Sequence, residues 1–321
     1  MNKIAGFNQK LINAIENAYP KKNDQIRLLT NAIYLGKEAS YRRLRGEVLF
    51  SFSEACTLAR ILDLSLDEIA MTGRSETPVF ELKIHPTELV KYGYQKLEEH
   101  EHTFEMMMNG SVELIQSASS LVPYSFLFLY ENLAKFRHFK WRYQTESKLI
   151  PGKFSEMEVP PEIIERQKSL GKNILKLPEN TIIFDRNMFI SFAKEFQFFH
   201  KSGLISDADL QKLKDEFIEL IEYFESLAIY GQNNLGNKIW LYMLNIDFEF
   251  NYAYIKGRDF EYAYMDGIYM MDTIMSSDPD ICRLHHKWIN SLRKYATLIS
   301  VSGEKQRREF FDKQKQFIET I

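Results

Sequence analysis

Three arginines close together, Arg42, Arg43 and Arg45, are the residues of this chain best suited to bind another molecule. They lie in a short polar segment, residues 37–45, which begins with Lys37. A guanidinium group presents N–H donors in a planar fork that matches phosphate oxygens and the O6 and N7 atoms of guanine. The residue types and their spacing therefore predict a surface that binds the phosphates and base edges of nucleic acid.

This basic segment belongs to a series of short predicted helices in which apolar residues recur at steps of three and four. The predicted helices cover about residues 4–18, 24–33, 37–45, 53–62 and, after a cap at Ser65, 66–70. Gly36 separates the second from the third, and Gly46 follows the third as a C-cap. A helix, a turn that contains glycine and a second helix are typical of a helix-turn-helix. In the third helix, Leu44 and Ala39 are expected to pack inward.

Two stretches of this region also resemble a known family. The sequence SYRRLRGE, followed by SFSEACTLARILDLSLDEI, is similar to the lambda-repressor-like (Cro/Xre-type) helix-turn-helix domain. In that family a recognition helix ends in a glycine and is followed by a helix with the pattern matched here by Glu54, Ala55, Leu58, Ala59, Leu62, Ser65, Leu66, Asp67 and Ile69. The resemblance covers about residues 5–72, and the YRRLRGE form is similar to a subgroup with a long C-terminal body.

The resemblance implies a five-helix domain over residues 1–75 that binds double-stranded DNA, with residues 37–45 as the recognition helix in the major groove. Carried over position by position, it implies a set of groove or phosphate contacts: Lys37, Glu38, Ser40, Tyr41 and Arg42. It implies that Arg43 and Arg45 contact the DNA backbone or act as internal anchors. A transcription regulator that binds DNA as a homodimer is the function expected, because one small domain makes few base contacts.

One feature of the family is missing, and other interpretations of the segment remain open. The glutamine that opens the first helix of the family's motif has no counterpart here, although Asp24, Gln25 and Arg27 lie nearby. The basic helix could instead be a solvated surface, or the domain could dock a partner protein on a scaffold. An enzyme fused to such a domain is a third interpretation. The sequence contains no nucleophile elbow, phosphate-binding loop, dinucleotide-binding glycines or HExxH motif, so we expect no enzymatic activity and no cofactor.

The rest of the chain predicts a larger, mostly helical body over residues 87–321, joined to the first domain by a linker at residues 76–86. Its predicted helices cover about residues 87–109, 111–119, 123–145, 161–172, 186–200 and 206–230, with two more near 281–295 and from 302 onward. Between them, aromatic residues alternate over residues 248–254 and again over 260–264, which predicts a small antiparallel β-meander over residues 238–275. The predicted fold class is mostly α.

Charge and cysteine content narrow the class of protein further. Residues 1–75 carry 11 Lys and Arg against 8 Asp and Glu, whereas the remainder carries 30 against 36. A basic first domain on an acidic body suits a module that meets phosphates. The two cysteines, Cys56 and Cys282, form no CxxC motif, and the chain shows neither a signal peptide nor a membrane span, so a cytoplasmic protein is expected.

Five weaker patterns are also candidate ligand sites. Asp278, Cys282, His285 and His286 could share a helix face and hold zinc, although Asp278 before Pro279 is also a plain helix cap. A metal site at His100 and His102 is disfavoured because residues two apart lie on different faces of a helix. We therefore expect no metal.

The remaining patterns are the run FRHFKWRY at residues 136–143, residues 302–305 and the aromatic strands. The run could stack single-stranded bases, but its helical spacing favours a core stripe with Arg137, Lys140 and Arg142 in solvent. Residues 302–305 could hold an anion, but a plain helix cap explains them as well. The aromatic strands near Trp240 and Tyr264 could line a pocket, although core packing is the simpler explanation. A small-molecule or protein effector on the body is an open expectation.

Overall fold

The chain divides into two compact units, Met1–Val79 and Phe80–Ile321. The structure, a computed structural model, describes residues 3–62, 64, 66, 69, 80–82, 89–109, 111–145, 152–247, 251–268 and 272–321. Within these residues, the fold is mostly α with one mixed sheet of eight strands.

The N-terminal unit contains four described helices around a small apolar core. They are α1 (Lys3–Ala18), α2 (Lys22–Ile33), α3 (Lys37–Leu44) and α4 (Phe52–Ile61). Leu11 and Ile15 of α1 meet Leu29 of α2, Leu44 of α3 and Leu58 of α4 in this core. Most of the predicted fifth helix, including its cap Ser65, lies outside the described residues.

A glycine flanks each end of α3. Gly36 precedes α3 in an extended conformation, and Gly46 follows it with φ +72°, in the left-handed region that favours glycine. The N–H of Gly46 donates to Arg43 O and the N–H of Glu47 donates to Arg42 O, both at 2.9 Å. These two bonds form a Schellman motif, which satisfies the last carbonyls of α3 and ends it where the sequence predicts.

The C-terminal unit contains eight further α-helices among the described residues. They are α5 (Leu89–Asn109), α6 (Tyr124–Leu127), α7 (Glu131–Thr145), α8 (Pro161–Ile174), α9 (Met188–Lys201), α10 (Asp207–Tyr230), α11 (Pro279–Leu292) and α12 (Glu304–Glu319). The strands are β1 (Glu81–Leu82), β2 (Val112–Ser119), β3 (Asn180–Asp185), β4 (Ile239–Leu244), β5 (Asn251–Gly257), β6 (Glu261–Ile268), β7 (Asp272–Ser276) and β8 (Ala296–Leu298). Short 3₁₀ turns lie at Phe154–Glu156 and Arg293–Tyr295.

The eight strands form one sheet in the order β1-β7-β6-β5-β2-β3-β4-β8. The central strands β2, β3 and β4 are parallel, and the other pairs are antiparallel. Parallel neighbours need long crossovers, which here are helical: α6 to α8 join β2 to β3, and α9 and α10 join β3 to β4.

Helices pack on both faces of this sheet. On one face a phenylalanine-rich core joins the sheet to α7, α9, α10 and α12. The ring of Phe136 meets Phe192, Phe196 and Phe199 edge-on, the geometry that aromatic quadrupoles favour. On the other face, Cys282 and Ile289 of α11 belong to a second core with residues of the sheet.

Four predictions for the body need correction. The predicted helix at residues 111–119 is the central strand β2, and the predicted helix at residues 123–145 is divided into α6 and α7. Part of the predicted linker forms β1, which pairs with β7. The antiparallel meander is confirmed for β5 to β7, with a turn after Gly257, but it is part of a larger mixed sheet, in which β4 pairs with β3 and β8 instead.

The two glycines that flank α3 should respond differently to alanine. Gly46→Ala should reduce the free energy of unfolding of the N-terminal unit by about 1–2 kcal/mol, because a Cβ is disfavoured at positive φ. Gly36→Ala is the matched control and should change it by less than about 0.5 kcal/mol, since its φ is −64° and its added Cβ would meet nothing within 4 Å. Hydrogen exchange of the α2 and α4 amides measures both effects, and equal losses would contradict the role of Gly46.

Candidate nucleic-acid interface

Helix α3 turns one narrow side toward the core of the N-terminal unit. Leu44 and Ser40, four residues apart, are buried on this side, and Ser40 Oγ donates to Gly36 O at 3.1 Å. Ser40 is fully buried, so it cannot contact a groove as predicted. Ala39 is exposed rather than packed inward. The inward position predicted for Leu44 is confirmed, whereas the one predicted for Ala39 belongs to the next residue, Ser40.

Arg43 links α3 to the start of α4 by a hydrogen bond. Its Nη2 donates to Glu54 Oε1 at 2.8 Å and its Nη1 donates to Leu49 O at 3.0 Å, while the guanidinium lies over the ring of Phe50. The side chains of Arg43 and Glu54 are each only 16% exposed. Arg43 therefore acts as an internal anchor, one of the two roles that the resemblance implied for it.

Glu54 also caps the start of α4. Its Oε2 accepts from the N–H of Ser51 at 2.7 Å, and its own N–H donates to Ser51 Oγ, which together make a capping box at the start of α4. Burial alone would raise the pKa of Glu54, but the hydrogen bonds from Ser51 and Arg43 outweigh it, so the pKa lies below its ordinary value.

Three cationic side chains of this region remain exposed. Lys37, Arg42 and Arg45 are exposed. More than half of the side-chain surface of Arg42 and of Arg45 is accessible to solvent. Their nearest anions are also exposed: Glu47 lies 3.7 Å from Arg42 Nε and 3.0 Å from Arg45 Nε, and Glu38 lies 3.8 Å from Arg45 Nη2. Exposed pairs of this kind contribute about 0–1 kcal/mol, so a phosphate can displace them at little cost.

Aromatic and apolar side chains lie next to this basic segment in the sequence. Tyr41 is half-buried against the core of the unit. Tyr34, between α2 and α3, is 90% exposed and adopts φ 56°, an uncommon conformation for a residue other than glycine. Phe52 at the start of α4 is 79% exposed, and Leu49 is also exposed. Tyr41 is one of the predicted contacts, whereas the sequence pattern did not indicate Tyr34, Phe52 or Leu49 as candidates.

The proposed zinc ligands near α11 have structural partners. Asp278 caps α11 by accepting from the N–H groups of Asp280 and Ile281. Cys282 is buried with its sulfur near Ser276 O, and His286 stacks on the ring of Tyr254. In the described part of the chain, no group of three His, Cys, Asp or Glu residues could hold a metal ion.

Residues 136–143 and 302–305 of the body also have structural roles. Phe136 and Phe139 are buried in α7, as the helical spacing predicts. Lys140 is not free in solvent as predicted, because it pairs with Glu195, and Arg137 lies over the ring of Tyr124. At residues 302–305, the cap of α12 is Gly303 with φ 65°.

Comparison with protein-family models, curated proteins and solved structures finds no match to this chain. None of the described helices combines the length and the apolar character needed to cross a lipid bilayer.

The pairing of Glu54 should make the N-terminal unit sensitive to acid. Because its pKa is lower in the folded chain than the ordinary value of 4.5, its stabilising effect is complete above that pH and is lost as the pH falls through the lower folded value. Hydrogen exchange of the α4 amides, corrected for intrinsic rates, should show this loss in the wild type. Glu54→Gln should show a flatter profile, whereas the control Glu16→Gln on α1 should keep the wild-type slope. Identical profiles for all three would contradict the account.

Proposed function

We propose that this chain is a sequence-specific DNA-binding regulator of transcription, cytoplasmic and without enzymatic activity. The observation that supports it best is the composition of the exposed side of α3, where Lys37, Arg42 and Arg45 face solvent on a helix held from behind by Arg43, Ser40 and Leu44. The resemblance of residues 5–72 to lambda-repressor-like domains supports the same function.

In this proposal, α2 and α3 act as a helix-turn-helix and α3 enters the major groove. Arg42 reads a base edge or a phosphate, and Lys37 and Arg45 neutralise phosphates. When phosphate oxygens bind to Arg42 and Arg45, they replace the carboxylate of Glu47. Arg43 does not reach DNA but fixes the direction of α3, and Ser40 stays inside the unit.

The same reasoning favours a homodimer. A helix of eight residues offers few side chains to base edges, and useful specificity in such proteins comes from two half-sites one helical turn apart. The C-terminal unit is large enough to provide the contact between two copies. A binding site with two-fold symmetry is the expected consequence.

A second function is favoured by one observation, the exposure of Tyr34, Phe52 and Leu49 near α3 in the sequence. Exposed aromatic residues are enriched at protein interfaces, so the N-terminal unit could instead dock a partner protein. Phe52→Ser would separate the two functions, because it should abolish docking through an apolar surface but adds no charge and should leave an arginine-dependent interaction with DNA in place.

Selection of bound fragments from a random DNA pool by the full-length chain tests the proposed function. The wild type should enrich a motif, and Arg42→Ala should weaken binding to that motif by about 1–3 kcal/mol if Arg42 reads a base. Arg60→Ala is the matched control, an exposed arginine on α4 that should leave the affinity nearly unchanged. If no motif is enriched even at low salt, or if both variants lose affinity equally, the assignment of α3 is wrong.

Removal of one negative charge should have the opposite effect. Glu47→Gln frees Arg42 and Arg45 and removes a carboxylate that repels phosphates, so binding to the selected DNA should become about two- to fivefold tighter, in line with about 0.5–1 kcal/mol for an exposed charge. Fluorescence anisotropy measures the change, with Glu16→Gln as the control. Weaker binding by Glu47→Gln would show that Glu47 itself contacts DNA.

A further inference from the structure

Helix α11 leaves one apolar side open to solvent. Its inner side is buried against the sheet through Cys282, Ile289 and Leu292. On a neighbouring side, Leu284 is 63% exposed and Trp288 is 49% exposed. These two residues are four apart, so they lie next to each other on the helix surface. A leucine and a tryptophan side by side in solvent indicate a surface that another molecule covers.

This apolar surface continues from α11 onto the sheet. The ring of Trp288 meets the ring of Tyr252 of β5 edge-on, with the ring centroids 6.4 Å apart. Tyr252 lies opposite Met265 of β6, and Met265 lies opposite Ile274 of β7. Residues opposite each other on paired strands share a face, so these three half-buried side chains form a row on the face that carries α11. Together with Leu284 and Trp288, the row makes up the α11 patch.

Two charges of opposite sign lie along α11 on either side of Leu284. Asp280 precedes Leu284 by four residues and Lys287 follows it by three. Because seven residues are close to two helical turns, both charges lie on the same side of the helix as Leu284. Lys287 is exposed, and Asp280 contacts Arg283 of the same helix in an exposed ion pair, which contributes little. The open side of α11 therefore has an acidic start and a basic continuation.

This order of charges is complementary to itself in an antiparallel arrangement. With a two-fold axis beside Leu284, residues before Leu284 in one copy meet residues after it in the second copy, and every contact occurs twice. Asp280 of each copy then lies level with Lys287 of the other to within about 1.5 Å, the rise of one residue. A parallel pair of α11 helices would place Asp280 against Asp280 and Lys287 against Lys287, so the charges favour the antiparallel pair.

We propose that the α11 patch is the surface through which two copies of this chain associate, with their α11 helices antiparallel. Leu284 packs at the two-fold axis, and Trp288 covers the first turn of the second α11. Asp280 of each copy pairs with Lys287 of the other. A second copy fits this surface better than an unrelated protein, because one patch supplies both halves of each ion pair.

The size of the patch predicts a weak dimer. Helix α11 has 14 residues and is about 21 Å long, so two such helices and part of the row bury less than the roughly 800 Å² per partner of a standard interface. A dissociation constant in the micromolar range is therefore expected. DNA with two half-sites would hold the two copies together. That consequence rests on the proposed function, whereas self-association through α11 does not.

Sedimentation equilibrium of the full-length chain without DNA tests the surface. The wild type should change from monomer to dimer as its concentration rises through the micromolar range. Leu284→Asp should weaken the dimer by about tenfold or more, because it places two carboxylates at the two-fold axis. Leu235→Asp, at an exposed leucine elsewhere in the C-terminal unit, is the matched control and should leave the dissociation constant unchanged. A chain that stays monomeric at several hundred micromolar, or equal effects of the two variants, would overturn the proposal.

An exchange of charges tests the antiparallel arrangement. Asp280→Lys and Lys287→Asp should each weaken self-association about three- to tenfold, because each places like charges across the axis. An equimolar mixture of these two variants should associate about as tightly as the wild type, since opposite charges then face each other again. Lys313→Asp, at an exposed lysine of α12, is the control and should leave self-association unchanged. A mixture that associates no better than the single variants would contradict the antiparallel pair.

The two proposals fail separately. If the chain dimerises through Leu284 but selects no DNA motif, the α11 patch stands and the proposed function fails. If a DNA motif is selected but the chain stays monomeric, or its dimer is insensitive to Leu284→Asp, DNA binding stands and the role of the α11 patch is wrong.

Discussion

The bond between Arg43 and Glu54 determines what the N-terminal unit can present to a partner. Glu54 begins α4 through its capping box with Ser51 and at the same time accepts from Arg43 of α3, so one carboxylate fixes two helices. Because Arg43 is held on the inner side, the neighbouring residues Arg42 and Arg45 are directed outward. The hydrogen bond between Arg43 and Glu54 is charge-assisted and little exposed. It can therefore fix the direction of α3, since it is directional and is poorly screened by salt.

The sequence predicts helices of this chain better than its central strands, and the reason is burial on both faces. Aromatic residues alternate at Tyr252 and Tyr254 and again at Phe260, Tyr262 and Tyr264, so strands β5 and β6 could be predicted. Strand β2 lies between β5 and β3 and is covered on both sides, so it has no alternation, and buried Gln116 adds a polar residue to its pattern. Strand β3 is a short apolar run, NTIIFD, for which periodicity cannot separate strand from helix.

Within the candidate interface, the local sequence pattern predicted where α3 begins and ends and several of its exposed cations. It did not predict which small residue faces inward, because Ala39 and Ser40 differ by one position and a serine can bury its hydroxyl by bonding to the carbonyl four residues earlier. The partner of Arg43 lies 11 residues away and depends on how α4 packs.

The salt dependence of DNA binding tests the central claim most directly, because neutralisation of phosphates by lysine and arginine releases counterions. With the selected DNA and the full-length chain, log K should fall linearly with log salt concentration. The double variant Lys37→Ala, Arg45→Ala should reduce the magnitude of this slope by about 2, roughly one for each lost phosphate contact. A slope near zero in the wild type, or the same slope in the double variant, would contradict the claim that the exposed side of α3 binds DNA.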